Sequence, residues 1–231
     1  MHEISIIIPV YNAQRTIANC LESIFRQTFN NFEIIAVNDG STDKSLPILK
    51  KYKNKIKIIT QQNQGAPSAR NNGAKLTKSP YIIFCDADIV MAPKMLEKMY
   101  LALKNHPEAS YSYCDFKFGF KKFKLFSFDP EKLKKIPYIH TTSLIYKNHF
   151  PGFDPGLKRF QDWDLWLNML KQGHIGYHIP ELLFKVKAGG TMSSWLPAFV
   201  YKINWLKREK LKFFKTKFKI TVRIRGFGVV F

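Results

Sequence analysis

Two pairs of closely spaced aspartates invite a chemical reading: Asp86 and Asp88 in "PYIIFCDADIV", and Asp162 and Asp164 in "FQDWDLWL". The chain holds nine Asp, so a D-x-D spacing is weak evidence until its setting is considered. The first pair follows the apolar run "YIIF", which reads as a strand, and residues two apart at a strand end point to one side and can share a ligand. The second pair opens a helix-like segment, where residues two apart lie about 200° apart around the axis. Asp162 and Asp164 are therefore read as one reactive carboxylate and one first-turn acid favoured by the helix dipole. Turn and cap chemistry alone also places Asp at such positions, and that alternative stays open at this point. If the first pair binds something, a few hard oxygen donors suit Mg2+ or Mn2+, whose shell is completed by phosphate oxygens. No His/Cys cluster with zinc spacing competes.

The elements that must position these residues alternate in type. "ISIIIPV", "FEIIAV", "KIKIIT" and "YIIF" read as strands. Helices are expected over 13–27, with Ile17, Leu21, Ile24 and Phe25 on one face, over 43–53, from near Pro67, and over 93–105. This alternation predicts an α/β fold with a mostly parallel central sheet and helices on both faces, where ligands bind beyond the carboxyl ends of the strands. The polar clusters "YN", "NDGSTD", "QQNQG" and "DAD" follow the four strands in turn. Each could be a turn, but together they converge on one rim, which favours a site. The first strand runs into "PVYN" rather than G-x-G-x-x-G, and no G-x-x-x-x-G-K-[ST] occurs, so a bound phosphate would be held by metal and side chains. Later in the chain, 110–128 reads as an extended hairpin rich in Phe and Lys, "YIHTTSLIY" as a strand, 161–173 as a helix closed by Gly173, and "GYHIPELLFKVK" as extended. A loop "AGGTMSSW", a helix over 196–214 and a strand "FKITVRIRG" with one cationic face complete the reading.

A formal charge of +20 excludes an acidic protein and invites a polyanion reading. It is localised: 202–225 carries +9 and 117–135 carries +5, and both segments are read as lying away from the strand-end rim. One reading makes 196–231 a basic, amphipathic, aromatic extension that meets an anionic membrane; the other packs it on the rest of the chain or a partner. Three scattered cysteines without C-x-x-C spacing argue against a disulfide framework and fit a reducing compartment. No run approaches the roughly 18 apolar residues of a membrane span, and the first strand begins without a basic leader. The expectation is a cytoplasmic protein, peripheral on the inner face of the cell membrane. Cys85 and His178 read as structural, and one of Trp163 and Trp166 as core.

Four blocks, "SIIIPVYNAQRTIANCLESIFRQTFNNFEIIAVNDGSTDKS", "QNQGAPSARNNG", "YIIFCDAD" and "FQDWDLWL", in this order over about residues 3–195, together resemble the family-2 glycosyltransferases. The resemblance implies the GT-A nucleotide-diphospho-sugar transferase fold over 1–195, with a nucleotide-binding half (1–108) and an acceptor half (109–195), followed by the extension 196–231. It implies an inverting, metal-assisted transfer from a nucleotide-diphosphate sugar, expected to be a UDP-sugar, to a glycan or lipid-linked acceptor in cell-surface polysaccharide or lipopolysaccharide synthesis. On the matching positions, Pro9 and Tyr11 would line the base pocket beside Asn12, and Asp39 would bond the base. Arg70 would lie near base and diphosphate, Asp86 near the ribose, Asp88 on the metal, and Asp162 would be the general base. Trp163, Asp164 and Lys187 fall on the acceptor side. Asn38, Lys187 and Asn168 depart from the family's usual Asp, His and Arg. The alternative weighed against this reading is a non-catalytic basic binder of nucleic acid or anionic glycan on the same scaffold. Nucleic acid is disfavoured because no recognition motif occurs.

Overall fold

The computed structural model describes residues 2–187. The expected extension over 196–231, with its helix and strand, and the loop 188–195 lie outside the described residues.

Strands β1 (Ile4–Val10), β2 (Phe32–Asp39), β3 (Lys57–Gln61) and β4 (Tyr81–Phe84) lie parallel in the order β3-β2-β1-β4. Their apolar runs are continuous because both faces are covered. Ile4, Ile6, Ile8 and Val10 of β1 pack with Leu21 and Ile24 of helix α1 (Ile17–Phe25) and Leu96 and Met99 of α4 (Met95–Asn105). Ile7, with Ile82 and Phe84, faces Ala74 of α3 (Ala66–Leu76) and Leu165 and Trp166 of α6 (Gln161–Lys171). Between β2 and β3 runs α2 (Ser45–Lys50). The chain steps from β1 outward to β2 and β3, then returns to the other side of β1 with β4. That reversal opens a crevice beyond the carboxyl ends of β1 and β4, the place where such sheets bind ligands.

The second half extends the sheet through β8 (Leu144–Tyr146), β6 (Ala109–Phe118), β9 (Ile175–Val186) and β5 (Ile89–Met91), with β7 (Lys121–Phe123) paired to β6 and the short helix α5 (Pro130–Lys135) following it. The long ladders, β1 with β2 and β6 with β9, are parallel, while each antiparallel ladder is short. Gly173, at φ +82°, follows α6 and ends it as expected.

Several boundaries differ from expectation for local reasons. The helix expected over 43–53 is Ser45–Lys50, because Asp43 leaves the helix: its carboxylate accepts from the Ser45 amide (2.8 Å) and the Gln14 amide (3.0 Å). "YIHTTSLIY" is a strand only at its end; the Thr142 amide donates to His140 Nδ1 and the Ser143 hydroxyl to the His140 carbonyl, a local pairing that competes with a ladder. Asp86 and Asp88 do not continue β4. They sit in a turn closed by the Ile89 amide on the Asp86 carbonyl (3.0 Å), so the same-side argument from strand geometry does not apply to them.

Helix α3 approaches the sheet closely because residue 73 has no side chain. A Cβ on Gly73 would lie 2.4 Å from Ile7 Cγ2 and 3.3 Å from Val37 Cγ2. Gly73→Ala is therefore expected to destabilise the fold by about 1–3 kcal/mol through overpacking, although Ala is intrinsically the better helix former by about 1 kcal/mol. Urea denaturation of the two proteins checks this.

Candidate active site

The site begins with a buried cation. Arg70 sits in the second turn of α3, 2% exposed. Its helix is launched by Gly65, whose φ of +86° suits glycine, with Pro67 in the first turn. A buried guanidinium must be paired. Its Nη2 donates to Asp86 Oδ1 at 2.6 Å, and its Nη1 donates to Gln161 Oε1 at 3.0 Å, at the first residue of α6. The Phe153 ring lies 5.2 Å beneath it, and its Nε is buried without a partner among the described residues. One side chain thus ties α3, the turn after β4 and the start of α6 together.

The carboxylates around it divide. Burial would raise the Asp86 carboxyl, but Arg70, with His140 adding to it, outweighs burial and holds it below the ordinary value. Asp88 has no ion-pair partner among the described residues. Burial, and then the charge of Asp86, push its carboxyl up to about 6. Asp162, in the first turn of α6, is also raised, by burial first, with Asp86 adding to the shift and the Trp163 amide and Arg70 opposing it. Three carboxylates therefore share one guanidinium, and two of them resist ionisation. A dication would relieve this excess. Among the described residues no group of three or more His, Cys, Asp or Glu could hold a metal ion, so an ion at Asp88 would complete its shell with substrate oxygens, which suits Mg2+ or Mn2+.

The other expected residues occupy supporting places. Asp39 is buried, and its oxygens accept from Gln61 Nε2 (2.8 Å) and from the amides of Gln64 and Gly65 (2.9 Å each). It fixes the loop from which α3 starts, with one of about four acceptor positions left over. Pro9 is buried in β1, and Tyr11 beyond it is 44% exposed on the rim. Asn12 is left-handed at φ +48°; its Oδ1 accepts from the Thr42 amide (2.9 Å) and its own amide donates to Ser41 Oγ (3.2 Å), stapling the loops after β1 and β2. Asn38 is buried and accepts from the Ser41 amide at 3.3 Å. The Lys187 amide donates to the Asp88 carbonyl at 3.0 Å, which puts the end of β9 beside the metal candidate. Trp163 donates from Nε1 to the Leu133 carbonyl (2.6 Å), and Asp164 accepts from Asn168 Nδ2 (3.0 Å). Of the two tryptophans, Trp166 is the core one, stacked on Tyr111 at 4.5 Å. Cys85 is core as read, and His178 is structural, bonded through Nε2 to Asp115 at 2.8 Å.

Two members were not singled out from sequence. Gln161 lies inside the quoted block "FQDWDLWL", but its role depends on reaching Arg70 across 91 positions. His140 lies close enough to Asp86 and Arg70 to sense both charges, and burial first, then Arg70, lowers it to about 4 against the pull of Asp86. With Nδ1 accepting from Thr142, the neutral ring carries its proton on Nε2. A lone His in an apolar run gives no signal of this.

The family model described as Glycosyl transferase family 2 matches residues 5–153. An uncharacterized glycosyltransferase of Haemophilus influenzae is 30% identical over 233 residues, covering 90% of this chain and 89% of that one. EpsE of Bacillus subtilis, which bears a glycosyltransferase name, is 29% identical over 202 residues, covering 80% of this chain and 73% of its own. Among solved structures, S. aureus TarS 1–349 superposes with a TM-score of 0.69 at 21% identity over 81% of this chain; the chain spans 60% of that one. The expected GT-A architecture is the observed one.

Asp88 supplies a check on the electrostatics. An acid whose folded value is raised to about 6 penalises the fold fully above that pH, and the penalty fades as pH falls toward the unfolded carboxylate value. Asp88→Asn is thus expected to stabilise the metal-free protein by about 1 kcal/mol at neutral pH, after discounting for solvent screening, and by nothing near pH 4. Thermal melts of both proteins across this range measure it.

Proposed function

Because the chain belongs to glycosyl transferase family 2, we propose that it transfers a sugar from a nucleotide-diphosphate donor to a glycan or lipid-linked acceptor with inversion at the anomeric carbon. The observation that carries the reading is the single buried guanidinium among Asp86, Asp88 and Asp162, which leaves Asp88 unneutralised at the carboxyl end of the sheet. The choice of a UDP-sugar is supported by the TarS 1–349 structures with UDP and UDP-GlcNAc, and divalent metal by a mannosyltransferase of Pyrobaculum calidifontis solved with GDP-Man and Mn2+ (TM-score 0.66, 15% identity). The setting would be cell-surface polysaccharide or lipopolysaccharide synthesis.

Asp88 would hold Mg2+ or Mn2+, which when bound neutralises charge on the departing diphosphate. Tyr11 on the rim and Asp39 behind it would receive the base, while Arg70 would keep Asp86 ionised toward the ribose. Asp162 accepts the proton of the acceptor hydroxyl as that oxygen forms its bond to the anomeric carbon. The bond from that carbon to the diphosphate oxygen breaks, and its electron pair leaves with the diphosphate. A raised carboxyl suits this task, since a stronger base takes the proton more readily at neutral pH. His140, neutral, can donate from Nε2 without adding charge. Asp164 and Trp163 hold the first turns of α6, and Lys187, at the end of β9, would lie on the acceptor side.

Asp162→Asn is expected to lower kcat by about 10²–10⁴-fold with little change in donor affinity, measured by transfer assay and calorimetry; a retained rate removes Asp162 as the base. Mn2+ affinity in the presence of UDP should fall about tenfold per pH unit below about 6, because the Asp88 ligand must be deprotonated. Titration calorimetry at pH 5, 6 and 7.5 reads this, and a flat profile would exclude Asp88 as the ligand.

A further inference from the structure

The basic segment over 117–135, expected away from the strand-end rim, instead reaches its edge. At the end of β6, Phe118 pairs with Val186 of β9, which pairs in turn with Ile89 of β5, and the Gly119 amide donates to the Val186 carbonyl at 3.1 Å. Phe118 is therefore two strand spacings, about 10 Å, from the residue that follows Asp88. The hairpin joining β6 to β7 stands at the edge of the candidate active site.

Its turn carries Phe120, fully exposed, followed by the exposed Lys121, Lys122 and Lys124, none of which pairs with an acid among the described residues. Phe126, also exposed, has Lys132 Nζ 3.7 Å from its ring centre. The hairpin base is firmly held: the Leu125 amide donates to Asp115 Oδ1 (2.8 Å) and the Tyr113 hydroxyl to the Phe126 carbonyl (2.7 Å). Lys121 Nζ also lies 5.0 Å from the Phe123 ring centre, so a braced hairpin presents an aromatic tip beside ammonium groups that no acid neutralises, the two features that complement an anionic lipid surface. The ring enters the headgroup–acyl boundary, and the lysines meet the phosphates. A soluble polyanion would use the lysines and leave the ring in water. We propose that the β6–β7 hairpin docks on anionic membrane, tip first, and so presents the Asp88 rim to the lipid surface. This docking does not depend on the transferase reading, and a binding experiment tests it apart from turnover.

The three native cysteines are buried, so Phe120→Cys in the full chain can be labelled selectively with an environment-sensitive fluorophore. Vesicles of mixed phosphatidylglycerol and phosphatidylcholine should shift its emission to the blue, and phosphatidylcholine alone should leave it unchanged. In the unlabelled chain, Lys121→Gln, Lys122→Gln and Lys124→Gln together should lower partitioning onto the anionic vesicles at least about tenfold, most strongly at low salt. Two results would overturn the proposal: an unshifted label on vesicles that bind the protein through another region, or a heparin response equal to the vesicle response, which would reassign the surface to soluble polyanions.

Discussion

The Arg70–Asp86 pair is the interaction on which the rest of the site depends. A guanidinium buried on a helix pressed against β1 and β2 cannot stand without a counter-charge, and a carboxylate in the turn after β4 supplies it at 2.6 Å. The pair holds Asp86 below its ordinary value, while burial first, and then the charge of Asp86, raise its neighbour Asp88 against the pull of Arg70. Two acids separated by one alanine thereby acquire opposite tendencies: one is paired within the protein, and the other has no ion-pair partner among the described residues. The second Arg70 donor reaches Gln161 and brings the first turn of α6, with Asp162, into the same electrostatic neighbourhood.

The framework around this pair is built to keep it in place. Asp39 spends three acceptor positions on the loop that precedes α3, and Gly73 lets that helix lie flat on Ile7 and Val37. Asn12 staples the loops after β1 and β2. Residues that the family resemblance assigns to the nucleotide thus also hold the crevice in shape. The second half of the sheet completes the rim by an indirect route: β5 and β9 pair antiparallel, and the Lys187 amide reaches the Asp88 carbonyl, so the Phe- and Lys-rich hairpin of β6 and β7 arrives beside the acids. Charge at that edge has opposite signs within a few residues' reach, acidic in the crevice and basic on the hairpin.

Much of this was legible in the residues. Apolar runs of strand length alternating with helical periodicity predicted the parallel half, since a doubly covered sheet leaves no polar face. Polar clusters after each strand predicted a rim because carboxyl ends of such strands face one crevice. Gly173 announced the end of α6, and Trp166 or Trp163 had to be core. The helix over 43–53 was overdrawn because a side chain, Asp43, captured amides that periodicity counted as helical.

What the sequence determined by itself was therefore composition, period and order: an α/β chain with acids at strand and helix ends and a Phe/Lys hairpin late in the chain. Partnership was decided only by the tertiary structure. That Asp86 rather than Asp88 takes Arg70, that His140 stands near both charges, that Gln161 closes the bridge, and that the hairpin lies beside the acids all depend on contacts between residues 16 to 91 positions apart or on ladders between distant strands. Residue type and local spacing carry no record of such contacts, because they follow from how the strands pair and how closely α3 can pack, and those distances set the electrostatics.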